Sequence, residues 1–327
     1  MELKRLSYKH KNNKLIYYSK NYLRQLIPSK FYQSKLDAKL NLINTLTPAE
    51  LEQITYRVNY YNKLESTFDL SSESKALEEL QLKKGKKEYF FDVYEYGRYF
   101  KQSLKGHFLF GDITEIYKEP AFVKSRPVND DNQNSILLKW NKVRHFMFVK
   151  KDNVPFSKKK NILVSRGQIF KSQPHRIKFL ELYFNHPMCD IGMVNTHKII
   201  EKWKVNRMTI SEKLKYKFIL CLEGNDVASN LKWVMSSGSL AVMPKAKFET
   251  WFMEGTLIPD YHYVAIKEDY SDLEEKLQFY IDNPEKAQEI VKNANNYVAQ
   301  FKNKKTEDLI SLMVMNKYFI KTNQLKN

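Results

Sequence analysis

From residue 160 onward, short apolar runs alternate with longer segments of helical spacing, and few architectures accept that pattern. Asn161–Ser165, Lys217–Leu222, Ser239–Met243 and Tyr263–Ile266 are runs of four to six residues that read as strands. Pro174–Asn185, Asp226–Ser236, Ser271–Ile281 and Glu285–Phe301 read as helices, with Asn225 or Asp226 and Ser271 as caps. Strands joined through helices by short links pair in parallel, and a parallel sheet must be covered on both faces. The middle of the chain carries similar runs. His107–Phe110 ends at Gly111-Asp112, Pro120–Lys124 ends at Ser125-Arg126-Pro127, and Ser135–Phe148 contains the basic cluster Lys142-Val143-Arg144-His145. The first hundred residues are mainly helical in pattern, over Leu36–Leu46 and Pro48–Leu64. Thr47 stands as N-cap ahead of Pro48 and Glu50. Ser71–Lys83 reads as a surface helix or loop, Tyr89–Tyr99 as the start of a strand–helix unit, and Thr306–Ile320 as a last amphipathic helix. The expectation is an α/β protein of two domains, with the change near the Lys-rich stretch Phe156–Lys160.

The 327 residues are 43% apolar, enough for a core in each domain and too many for a disordered chain. Nine glycines are few, and neither G-x-G-x-x-G nor G-x-x-x-x-G-K-[ST] occurs. Cys189 and Cys221 form neither a disulfide framework nor a C-x-x-C metal site. The first twenty residues lack the apolar core of a signal peptide and no run is long enough to span a bilayer, so the expected compartment is the cytoplasm. A net charge of +18 favours polyanionic partners: nucleic acid, anionic lipid or phosphorylated sugars. The charge is spread along the chain, which argues against a dedicated nucleic-acid module and is equally what a Lys-rich surface produces.

Open parallel sheets bind ligands beyond the carboxyl ends of their strands. Three such ends carry informative residues: Asp112 after Gly111, Arg166-Gly167 with Arg176 ten residues on, and the run Glu223–Asn230, rich in small residues, with Lys232 after it. Exposed N–H groups at a helix start would form an anion site there. Each has a plainer reading as well: Asp112 as a turn residue, the arginines as surface charges, Asp226 as an N-cap. His107, His145, His175 and His262 show no metal spacing. No D-x-D triplet is present to anchor a metal-bound nucleotide sugar, and G-x-S-x-G is absent.

The run Lys215–Trp233, reading KYKFILCLEGNDVASNLKW, resembles the nucleotide-sugar segment of glycosyltransferase family 90. Met235–Ser239, Glu249-Thr250-Trp251-Phe252, Pro259–Val264 and Ser271-Asp272-Leu273 follow in the family's order, ahead of a helix containing Ala287 and Ile290. The similarity reaches back through Arg166-Gly167 and Arg176 to Pro120–Arg126 and Gly111-Asp112, covering about residues 105–320. The EGNDVASNLKW run is specific, whereas Arg-Gly alone is weak.

The resemblance implies a GT-B architecture: two Rossmann-like domains facing a central cleft, with a helical N-terminal region. The acceptor-side domain would span residues 1–157, the nucleotide-sugar-binding domain 158–305, and a helix over 306–327 would return to the first domain. It implies an inverting transfer from a UDP-sugar to a hydroxyl, without metal or other cofactor. Asp112 would be the base, with Asp130 and Asp131 as rivals. The donor would lie against Arg166, Gly167, Gln168, Arg176, Asp226, Val227, Ala228, Ser229, Asn230 and Lys232, with Asp226 capping its helix. Lys124, Arg126, Arg144 and His145 are candidates for the acceptor side of the cleft. Gln168, His175 and Lys232 depart from the animal Rumi-type pattern, and Lys232 forgoes the bidentate grip of an arginine. The expected acceptor is the oligosaccharide of lipopolysaccharide, with peripheral contact to an anionic inner membrane and no nucleic acid. A protein or capsule O-glycosyltransferase of the same family and a non-enzymatic nucleic-acid-binding protein are the alternatives.

Overall fold

The structure, a computed structural model, describes residues 10–195 and 201–326. Eleven strands occur among them: β1 Lys75–Ala76, β2 Lys105–Leu109, β3 Ala121–Val123, β4 Ser125–Pro127, β5 Ser135–Leu137, β6 Lys160–Gly167, β7 Cys189–Met193, β8 Tyr216–Leu220, β9 Leu240–Met243, β10 Phe248–Thr250 and β11 Val264–Ala265. The chain divides into two compact units. The N unit comprises Asn13–Val143, Lys247–Gly255 and Phe301–Asn327; the C unit comprises Met1–Asn12, Arg144–Ala246 and Thr256–Gln300. The change thus falls ahead of the Lys-rich stretch. Residues 144–159 pack within the C unit, where the Val149 N–H donates to Ser236 Oγ at 2.8 Å and Lys159 Nζ to Asp152 at 2.8 Å.

In the N unit a four-stranded sheet runs β1-β2-β3-β5. The last three strands are parallel, and β1 pairs antiparallel with β2 at the edge. Phe122, Val123, Ile136 and Leu137 are wholly buried between the sheet and its helices. Helix Pro48–Tyr61 opens as its sequence requires, with Thr47 and Glu50 forming a reciprocal capping box. Leu36–Leu46 is not one helix but a short helix, Leu36–Leu40, running into a 3₁₀ segment, Asn41–Thr45. Tyr89–Tyr99 falls mostly within the helix Lys87–Gly97. The long last helix, Lys304–Lys321, packs here: the Tyr318 ring lies 4.1 Å from that of Phe122, and its hydroxyl donates to Pro120 O. β10 belongs to this unit because it pairs antiparallel with β4.

The C unit holds a fully parallel five-stranded sheet, ordered β11-β9-β8-β6-β7. The chain moves one way from β6 to β7, then returns to the other side of β6 for β8, β9 and β11. The strand order therefore reverses between β6 and β8, and a crevice opens at the carboxyl ends of strands at such a reversal. Sequence pattern alone does not show β7, because Cys189-Asp190-Ile191-Gly192-Met193 is not an apolar run. The glycine is obligatory there: a Cβ on Gly192 would stand 2.4 Å from Val205 and 3.0 Å from Trp203 O, where that segment crosses the strand.

Candidate functional site

The last register pair between β6 and β8 is Val164 with Ile219. Beyond it the chain leaves the sheet as Arg166-Gly167-Gln168 on one side and Cys221–Gly224 on the other. Arg176, near the start of helix Pro174–Tyr183, ties these two exits together. Its Nε donates to Glu223 O at 2.7 Å, Nη1 to Gln168 O at 2.8 Å and Nη2 to Leu222 O at 2.9 Å. Burial lowers its pKa to about 10, so the guanidinium keeps its charge at neutral pH. Gly167 and Gly224 lie against it and bring no side chain over it. A ring nitrogen of His175 meets Glu223 O at 2.8 Å, and Gln173 Nε2 donates to Asn225 Oδ1 at 3.2 Å, which fixes the rim.

A second cation lies at the same strand ends. Lys213, in the short helix Ile210–Lys213, places Nζ 3.4 Å from Arg166 O and 5.9 Å from the centre of the Trp233 ring. Among the described residues no carboxylate pairs with it. Burial, and then the neighbouring Arg166, push its pKa down to about 8. An ammonium that is desolvated and lacks an acidic partner can take up an anionic group that brings the missing charge.

The other expected donor residues are placed differently. Arg166 turns towards β7: Nε donates to Asn206 O, Nη1 to Ser165 O and Asp190 O, and Nη2 to Asp190 Oδ1 at 2.5 Å. Four of its five N–H groups are thus spent on the protein and its charge is met by Asp190, whereas Arg176 spends three, all on carbonyls. Lys232 is 0% exposed, with Nζ over the Phe146 ring at 5.4 Å, so it presents no surface to a ligand. Asp226 does not cap a helix as expected. The helix is only Leu231–Met235, its N-cap residue is Asn230, and no side chain caps it. Asn230 instead donates from Nδ2 to Leu220 O, closing the turn back onto β8. Asp226, Val227 and Ala228 are buried beneath this turn, while Ser229 and Asn225 are exposed. A helix start over 226–229 is therefore absent from this stretch. Ser271 likewise is not a cap: the next helix, Leu273–Asp282, has Asp272 in that position.

In the N unit, Asp112 follows the carboxyl end of β2, and its neighbour in the sheet, β3, runs directly into Lys124. Lys124 Nζ bonds Asp112 Oδ1; the lysine side chain is 2% exposed and the aspartate 38%. Ser125 Oγ accepts from the Ile113 N–H at 3.2 Å and donates to Ile113 O at 3.1 Å, which pins the same loop. Gly111 adopts φ +135°, a backbone conformation that disfavours any other residue. An exposed carboxylate is thus fixed from below at the ends of two parallel strands. Asp130 and Asp131 are also exposed, but they lie in the turn that feeds the amino end of β5, at the other end of the sheet. Arg126 is 0% exposed and anchors β4: it donates to Glu249 Oε1, Tyr60 O, Tyr61 O and Ser135 O. That leaves it no role facing an acceptor. Arg144 is exposed and His145 buried, in the short helix Lys142–His145.

Lys213 was not legible as a site residue. It sits in the polar stretch before β8, within no recognisable pattern, and only the three-dimensional turn of Ile210–Lys213 brings it to the strand end. Among the described residues no group of three or more His, Cys, Asp or Glu side chains is placed to hold a metal ion, and no helix is long and apolar enough to cross a membrane.

Comparison with known proteins places these features in context. Residues 132–319 match the sequence pattern of glycosyl transferase family 90. The O-glucosyltransferase LpsA of Dichelobacter nodosus is 40% identical over 308 residues, covering 94% of this chain and 95% of that protein. Uncharacterized protein 179R of Invertebrate iridescent virus 6 is 34% identical over 131 residues, 37% of this chain and 11% of the viral protein.

Proposed function

The chain belongs to glycosyltransferase family 90 and is a glycosyltransferase, and on that premise we propose that it inverts the anomeric centre of a UDP-sugar while moving the sugar to a hydroxyl of a lipopolysaccharide oligosaccharide. The sugar in this reading is glucose, following the O-glucosyltransferase to which the chain is 40% identical. The observation that carries the mechanism is the exposed carboxylate of Asp112, held by Lys124 beyond two parallel strands.

A sugar hydroxyl is a weak nucleophile until a base takes its proton. Asp112 accepts that proton as the acceptor oxygen forms its bond to the anomeric carbon. The bond from that carbon to the β-phosphate oxygen breaks on the opposite face, and UDP leaves as an anion. One base with no covalent nucleophile gives inversion. The growing charge on the diphosphate is met in the C unit by Arg176 and Lys213 at the β6–β8 crevice, fixed cations that need no reorganisation as the bond breaks. Gly167, Gln168 and Gly224 form the crevice rim. The architecture in this reading is GT-B, with the base supplied by the N unit and the donor held by the C unit, and the cations do the work a metal would otherwise do. The acceptor's lipid places the enzyme at the cytoplasmic face of an inner membrane.

Replacing Asp112 by Asn tests the assignment. UDP-glucose turnover is expected to fall about 10²–10⁴-fold, with UDP affinity measured by calorimetry unchanged. Turnover close to that of the native protein would remove Asp112 from the role of base. Transfer in excess chelator is expected to match the untreated rate; a loss restored by manganese or magnesium would overturn the metal-free mechanism.

A further inference from the structure

The first helix of the N unit is turned the opposite way from a usual surface helix. At 3.6 residues per turn, Leu15, Ile16, Leu23, Leu26 and Ile27 fall in one arc of about 120° across the helix Lys14–Gln25 and its last turn. They point outward: Leu15 and Leu26 are 76% and 77% exposed, and Phe31, just beyond, is 52% exposed. The opposite arc, made of polar groups, attaches the helix to the protein. Tyr17 donates to Asp92 at 2.8 Å, Tyr18 bonds Glu88 and Arg24 pairs with Glu95, all on helix Lys87–Gly97. An apolar face left in water while the polar face is packed is an interaction surface.

The charge around it identifies the partner. Residues 13–36 contain five Lys or Arg and no Asp or Glu, in a chain with 37 acidic residues. Lys14, Lys20 and Lys30 are exposed, and Lys35 lies over the Phe31 ring at 3.7 Å. An apolar stripe on a segment whose own charges are all basic, with Glu88, Asp92 and Glu95 confined to its packed side, matches the acyl–headgroup boundary of an anionic bilayer. A second copy fits poorly, because an isologous contact would set the same cations against each other. We propose that the helix Lys14–Gln25 and the turn through Phe31 form a membrane-docking surface that inserts its apolar stripe into an anionic lipid leaflet. The proposal does not depend on the identity of the donor or acceptor sugar.

Flotation with vesicles of phosphatidylethanolamine and phosphatidylglycerol tests it, with phosphatidylcholine vesicles as the neutral control. The native protein is expected to float with the anionic vesicles and to be released by added salt. The double variant Leu23→Glu, Leu26→Glu alters only exposed side chains and is expected to keep the native melting temperature and UDP release. Its partition to the vesicles should fall by at least about tenfold, the loss expected when large apolar side chains no longer insert. No flotation of the native protein, or equal flotation of the variant, would overturn the proposal. A native dimer that the variant converts to monomer, without vesicle binding, would assign the face to a second copy instead. Because vesicle binding needs no nucleotide sugar, an absence of UDP-glucose turnover would count against the proposed reaction alone.

Discussion

Lys213 provides a sharp test of where the diphosphate binds. Its ammonium stands at the end of β6, 3.4 Å from Arg166 O, and burial and the Arg166 charge hold its pKa near 8. Replacing it by Met removes one charge-assisted hydrogen bond, which costs about 1.5–3 kcal/mol. At neutral pH that weakens UDP binding by roughly ten- to a hundredfold. The pH dependence is more diagnostic. A lysine with pKa about 8 is about nine-tenths charged at pH 7 and about one-tenth charged at pH 9, and the competent fraction scales the apparent affinity. Native affinity for UDP should therefore fall towards tenfold as pH rises across that interval. The groups facing Lys213 are Arg166, Lys11 and Cys221. Burial pushes the Cys221 thiol far up, so it stays neutral over this interval. Lys213→Arg keeps its charge throughout and should flatten the profile. Ionisation of the nucleotide acts on both proteins alike, so the difference between the two calorimetric profiles is the readout. Unchanged UDP affinity in Lys213→Met at pH 7, or superimposed native and Lys213→Arg profiles, would refute the assignment.

Two further predictions concern stability of the N unit. Glu307, on the last helix, pairs with Arg57 at 2.6 Å and Lys139 at 2.6 Å and accepts from Trp251 Nε1 at 2.8 Å. Glu307→Gln leaves two buried cations facing a neutral amide and should cost about 3–5 kcal/mol in urea unfolding; a loss below about 1 kcal/mol would show the network to be dispensable. Asp92 is pushed up to about 6 by burial against the pull of Lys142, so its contribution is fully present below its ordinary carboxylate range and is lost as pH rises through about 6. Asp92→Asn should therefore gain stability relative to the native protein, by up to about 3 kcal/mol, between pH 4 and pH 8; a constant difference between the two melting curves would contradict the shift.

The alternation of apolar runs from residue 160 by itself specifies a parallel sheet containing β6, β8, β9 and β11, because a strand buried on both faces must be apolar along its length and a parallel return needs a helix. The Thr47–Glu50 capping box and the Gly111-Asp112 turn were equally local, since each depends on groups within three residues. Side-chain destinations were not local. Arg166 and Arg176 are alike in sequence, but the first is drawn across β7 by Asp190 and the second bridges two strand exits. Lys232 is basic at the expected position but is buried over Phe146, eighty-six residues away in sequence. The helix expected from Asp226 starts only at Leu231, because Asn230 closes the preceding turn onto Leu220. Periodicity reports which faces must leave water and so specifies strands, helices and their layering. Where a charge ends up depends on which carbonyls, carboxylates and rings surround it after packing, and those partners come from segments far apart in the chain. For that reason only the tertiary structure placed Lys213 against Arg166 O at the end of β6, where the strand order reverses.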